Sequence, residues 1–176
     1  MKTIDQYREI YAILDSAGPA SYDCGRLCDS ICCSDSSFDD GDSYIYLLPG
    51  EKEYLDSAGC KLNIEKQPRK EHALPKSWGE YVYIARCPGK ETCDRKTRPI
   101  QCRTFPLMPY ISGHGELEMV LCYMDVPYAC PFVEGKVEVS EDFRRSTYEA
   151  WKLLVEDRAI RDLVKLDSKE NHERNK

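Results

Sequence analysis

The sequence predicts a small α+β fold: a cysteine-rich domain with a helix at each end of the chain and short antiparallel strands between them. Three observations predict it. Apolar residues recur at helical spacing over residues 3–15 and again from Ser140 to Val164. Between them lie short runs of β-branched and aromatic residues, bounded by Pro and Gly. Seven of the ten cysteines fall in two irregular stretches within that middle region.

A chain of 176 residues is long enough for one domain with a core of its own. The expected division is a single domain over 1–166, then a charged tail, 167–176, that frays. Apolar residues make up 41% and there are 12 Tyr, which is globular rather than disordered composition. The net charge of −6 argues against a nucleic-acid backbone as partner. No apolar run is long enough to span a membrane, and residues 1–8 contain no apolar export segment. The expected compartment is therefore the cytoplasm, where ten cysteines are not expected to form a disulfide framework.

The elements follow in order. Tyr7, Ile10, Tyr11 and Leu14, with Ile4, mark a first amphipathic helix that Gly18 and Pro19 stop. Residues 34–42 are acidic and turn-rich, a surface loop without calcium-loop spacing. Residues 44–48 read as a strand, residues 51–58 as a short helix, and residues 60–64 as a second strand carrying Cys60 as a core thiol. Residues 65–78 read as a loop in which His72 is exposed. Residues 80–85 are the clearest strand and deliver Cys87 at its end. Pro99, Pro106 and Pro109 predict a stiff, extended segment that holds Cys102. A hairpin over residues 107–123 turns at Gly113-His114-Gly115, with His114 exposed at its tip. Ser140 caps the longest helix, which breaks near Asp157.

The chemistry lies in the thiols. A soft metal needs several thiolates around one point, with short spacers supplying two and a distant segment the rest. Cys24, Cys28 and Cys32 recur every four residues, which stacks them on one face of a helix or makes a chelating knuckle in a loop. Cys32 and Cys33 are adjacent and cannot easily point the same way, so one is expected to join Cys24 and Cys28 and the other to serve a second site or a different role. Cys87, Cys93 and Cys102 form the second stretch, and Cys122 and Cys130 a late pair. The candidate ligands are thus Cys24, Cys28, Cys32, Cys33, Cys87, Cys93, Cys102, Cys122 and Cys130. They would make one or two all-thiolate sites for zinc or an iron–sulfur cluster. Arg98 and Arg103 are expected to offset the thiolates' negative charge. Residues 20–45 and 86–131 are poor in apolar periodicity, so ligation is expected to cross-link them.

Other chemistry lacks support. No phosphate loop, dinucleotide fingerprint or CxxC redox pair is present, and three His in such contexts suggest no hydrolase triad.

The two cysteine stretches resemble those of the CxxCxxCC family of zinc- or iron-chelating proteins, the YkgJ-type cysteine cluster proteins. That family pairs an N-terminal four-cysteine cluster with a later segment of the form RP-x-x-CR-x-FP. Arg98, Pro99, Cys102, Arg103, Phe105 and Pro106 fit the segment position by position. Cys24, Cys28, Cys32 and Cys33 fit the cluster, with three-residue spacers where the family has two. The resemblance covers roughly residues 20–110 and implies metal binding with a structural, metal-handling or redox role. Some members resemble the flagellin lysine N-methylase, a longer chain associated with an iron–sulfur cluster. That implies, as the alternative, an iron–sulfur-dependent protein-modifying enzyme, although no catalytic constellation other than the cysteines is visible. The expected partner is the metal ion or cluster, with a protein as a further candidate and neither nucleic acid nor membrane.

Overall fold

The computed structural model describes residues 1–33, 44–87, 89–91, 93–124 and 126–174, with side chains through Glu170. The acidic stretch at residues 34–42 lies outside the described residues. The fold is α+β, as expected, with helices at both ends and, among the described residues, five antiparallel strands in two small sheets.

Helix α1 (Ile4–Asp15) opens with a capping box: the Thr3 hydroxyl accepts from Gln6 N, and the Gln6 side chain accepts from Thr3 N. Its apolar face, Tyr7, Ile10, Tyr11 and Leu14, is buried, while Ile4 lies outside that face and is exposed. The first sheet contains β1 (Tyr44–Tyr46), β2 (Ile64–Pro68) and β3 (Tyr81–Arg86), with β3 in the centre and antiparallel to both. Ala85 stands opposite Ile45 on one side and Ile64 on the other. Helix α2 (Glu51–Ser57) fills the connection from β1.

Strand β2 begins where the sequence suggested a strand would end, and takes up the start of the expected loop. Cys60, Leu62 and Ile64 alternate because all three pack on the core, not because residues 60–63 pair in the sheet. Pro68 is tolerated because β2 is an edge strand, and Glu65 binds Arg86 of β3 through two hydrogen bonds, to Nε at 2.6 Å and Nη2 at 3.3 Å. His72 is half-buried rather than exposed, with Nδ1 hydrogen-bonded to the Tyr46 hydroxyl at 3.0 Å. His114 is exposed, as expected.

Residues 100–104 form helix α3 (Ile100–Thr104), where an extended segment was expected. The three prolines flank that turn rather than interrupt it, and Pro99, at the N-cap position, is compatible with a helix start. Strands β4 (Leu107–Ile111) and β5 (Leu117–Leu121) make the hairpin. Helix α4 (Glu141–Leu154) starts from Ser140, whose hydroxyl accepts from Phe143 N. A break follows, and the Asp157 carboxylate accepts from Ala159 N and Ile160 N to start α5 (Arg158–Arg174). Helix α5 is the longer of the two and runs through the expected tail. Ser168 is buried there, its hydroxyl accepting from Ile111 N at 2.9 Å.

Two cores result. The larger gathers Tyr7, Leu14, Leu48, Leu55, Ile100, Trp151, Leu154 and Ile160. The smaller gathers Leu107, Cys130, Phe132, Val139 and Phe143. Burying each large apolar side chain contributes about 1.5–3 kcal/mol. Ile100, Leu107 and Cys130 all belong to the stretch expected to depend on metal, so apolar packing anchors part of residues 86–131. Among the described residues, no helix is long and apolar enough to cross a membrane.

Candidate thiol centre

Cys24, Cys32 and Cys33 sit on two 3₁₀ turns, Cys24–Leu27 and Ile31–Cys33, and Cys28 closes the first. The Asp23 carboxylate accepts from Gly25 N at 3.1 Å and caps the first turn. Asp29 and Ser30 are both left-handed, with φ of 52° and 55°, and this reversal carries the chain from one turn to the next. Gly25 lies under the reversal: its carbonyl accepts from Ser30 N at 2.9 Å, and a Cβ there would come within 2.2 Å of Ser30 Oγ. No residue of either turn is buried. Lys90 reaches across from the second cysteine stretch to Asp29 at 2.6 Å.

The second stretch is held more firmly. Strand β3 ends at Arg86 and presents Cys87, whose thiol faces the Cys33 carbonyl at 4.0 Å. The Asp94 carboxylate caps the turn Arg95–Thr97, which leads to Arg98. Cys102 lies on α3.

Five thiols, those of Cys32, Cys33, Cys87, Cys93 and Cys102, line one cavity of about 170 Å³. Arg98 enters its wall, and Tyr44, Ile45, Leu62, Phe105 and Tyr128 supply an apolar face. A neighbouring cavity of about 250 Å³ takes Cys24, Cys28 and Cys130, and shares Cys32, Cys33, Cys93 and Arg98 with the first. The adjacent cysteines thus stand between the two, with sulfurs 3.9 Å apart. Cys122 lines neither cavity, although it lies near Cys130. Cys60 stands apart: its sulfur accepts from Leu62 N at 3.5 Å and donates to the Thr97 carbonyl at 3.8 Å. The ten cysteines, all among the described residues, form no disulfide.

The thiols influence one another's charge. Cys33 is pushed up to about 11, chiefly by its hydrogen bond with the Cys32 thiol, against the opposing effect of Cys87. Cys102 borders the cavity with an accessible surface, yet crowding by protein atoms raises its pKa, with Cys33 adding to the rise and Arg98 opposing it. Burial raises the Cys24 pKa, and Asp23, Cys28 and Cys130 add to it. Burial alone would lower the Arg98 pKa, but Cys93, Cys33 and Cys102 more than reverse that. Arg98 Nε donates to Cys93 Sγ at 3.4 Å. Arg103, expected to do likewise, turns away from the thiols to the Asp15 carboxylate and the Arg95 carbonyl.

Residues outside the cysteine pattern also shape the site. Tyr128 borders both cavities and stacks edge-on against Phe105, with ring centres 6.1 Å apart. Gln101 lines the first cavity and donates to the Tyr46 carbonyl at 2.8 Å. Neither carried a signal in the sequence, since a Tyr or Gln near a cysteine has no spacing rule. No family model, curated protein or solved structure matches this chain.

The donors fit a soft metal in kind, being thiols with a guanidinium beside them. Their placement is wider than a single ion requires. Zinc holds sulfur at about 2.3 Å, so its thiolates must lie roughly 4 Å from one another. Among the described residues, no three Cys, His, Asp or Glu groups converge in that way.

Proposed function

We propose that this chain is a metal-binding cysteine-cluster protein. Its centre is all-thiolate, an iron–sulfur cluster in preference to a single zinc ion, with a structural or redox role. One observation carries this reading: five thiols, drawn from both cysteine stretches, line a single cavity of about 170 Å³. A polynuclear cluster takes thiolates at its corners around a volume it fills, whereas one ion draws them together. The resemblance of residues 98–106 to an iron- or zinc-chelating family supports the same reading.

Cys87, Cys93 and Cys102, with Cys33 or Cys32, would hold the cluster. When bound it would supply one-electron chemistry or a cross-link between the two cysteine stretches. Arg98 offsets thiolate charge, and Phe105 and Tyr128 limit access of water to the sulfurs. The test is anaerobic purification followed by absorption spectroscopy and assays of iron, acid-labile sulfide and zinc. A broad visible band that dithionite bleaches, with matching iron and sulfide, is the expected result. A colourless protein holding zinc would overturn the cluster reading, and a protein holding no metal would overturn metal binding itself.

A further inference from the structure

Glu51 has no solvent exposure, and it stands outside the thiol cavity. It opens α2, but its carboxylate serves other elements. Oε1 accepts from Ile100 N at 2.7 Å and from the Tyr11 hydroxyl at 2.8 Å, and Oε2 accepts from Leu48 N at 2.8 Å. One buried carboxylate therefore joins α1, the β1–α2 turn and the first residue of α3.

Helix α3 needs that partner. Its N-cap residue is Pro99, which has no side-chain acceptor, and Ile100 is fully buried. The Ile100 N–H would have no bond inside the helix, and burial denies it water. Cys102 follows two residues later in the same turn. On either side of it, Gln101 donates to the Tyr46 carbonyl, and Arg103 to the Arg95 carbonyl and Asp15. The turns that carry Cys24, Cys32 and Cys33, by contrast, contain no buried residue.

We propose that Glu51 is a positioning residue for the thiol centre, capping α3 from another part of the chain and so fixing Cys102 in the cavity wall before metal arrives. Its relevance to metal rests on the function proposed above, but its effect on Cys102 does not. Glutamine is a poor substitute, because three donors need both carboxylate oxygens and an amide offers only one.

The test uses the full chain, reduced and treated with chelator, with iodoacetamide labelling of each cysteine followed by mass spectrometry. Glu51→Gln is expected to speed labelling of Cys102 by roughly fivefold, the factor that loss of an ordinary cap sets. Cys24, Cys28 and Cys60 should change by less than about twofold, as positions outside α3. Pro99→Ser, which gives α3 a cap of its own, should restore slow labelling in the Glu51→Gln background. A uniform rise at all cysteines, or none at Cys102, would overturn the proposal. If Glu51→Gln does not fold, Glu51→Asp, one methylene shorter and so drawn back from Ile100 N, is held to the same two outcomes. Failure of the metal reading would look different: wild-type protein without metal, but with Cys102 still slow to react.

Discussion

Arg98 and Cys93 are bonded side by side, with the guanidinium Nε 3.4 Å from the thiol sulfur, while Arg103, five residues further on, points to Asp15. Two arginines of one short segment thus have separate work. Arg98→Ala should lower bound metal per chain by more than half, with Arg98→Lys intermediate because a point charge keeps part of the interaction. Elemental analysis of the purified variants decides it, and unchanged metal in Arg98→Ala would refute the role.

Arg103→Ala should act on stability instead. Its side chain is 2% exposed, lies 5.0 Å from the centre of the Tyr11 ring and donates to a backbone carbonyl. Losing these contacts, which leaves the Arg95 carbonyl with only the Arg98 N–H at 3.4 Å, should cost about 2–4 kcal/mol in urea unfolding. Metal content at saturation should be retained.

Removing metal should separate the two cysteine stretches. The turns at residues 23–33 contain no buried residue and meet the second stretch through an exposed ion pair. Residues 100–111 are anchored by Ile100 and Leu107 in the cores. Hydrogen exchange after chelation should show lost protection in the first segment and retained protection in the second. Equal loss in both would contradict this asymmetry.

Gly50→Ala should destabilise the fold by roughly 2–4 kcal/mol, measured as a lower urea midpoint. Gly50 has φ of 92°, and a Cβ there would lie 2.5 Å from the Lys2 carbonyl oxygen, which belongs to backbone and cannot swing aside.

Asp167 predicts a pH effect. Burial pushes its carboxyl up to about 7, and the charge of Glu170 adds to the rise. The folded state therefore binds this proton more tightly than the unfolded chain does. The stabilisation is complete below about pH 4 and is lost as pH rises towards 7. Asp167→Asn should remove that dependence and raise stability at pH 8 by about 1–2 kcal/mol, less than a fully buried group would give. Urea unfolding of both proteins between about pH 5 and 8 reads it directly.

Much of this architecture was legible in the sequence because it follows local rules. The stripe of Tyr7, Ile10, Tyr11 and Leu14, and Ser140 before two acids, announce helices through signals that need no tertiary partner. The hairpin at residues 107–121 follows from alternation and a glycine turn. The grouping of Cys33, Cys87, Cys93 and Cys102 was legible only as a set of ligand types, since their meeting depends on β3 and α3 packing at a distance. Helix α3 was hidden by its flanking prolines, and its missing cap is Glu51, about fifty residues earlier in the chain. Strand β2 was misplaced because packing on the core imitates the alternation of a strand at residues 60–64.

The chain has two tryptophans, and they report on different places. Trp151 Nε1 donates to Thr104 Oγ1 at 3.3 Å, at the end of the helix that bears Cys102. Trp78 Nε1 donates to the Ala159 carbonyl at 2.9 Å, beside α5. Their fluorescence is therefore a built-in pair of optical probes. With Trp78 replaced by Phe, emission from Trp151 alone would follow events near the thiols, and the converse variant would serve as the spectator.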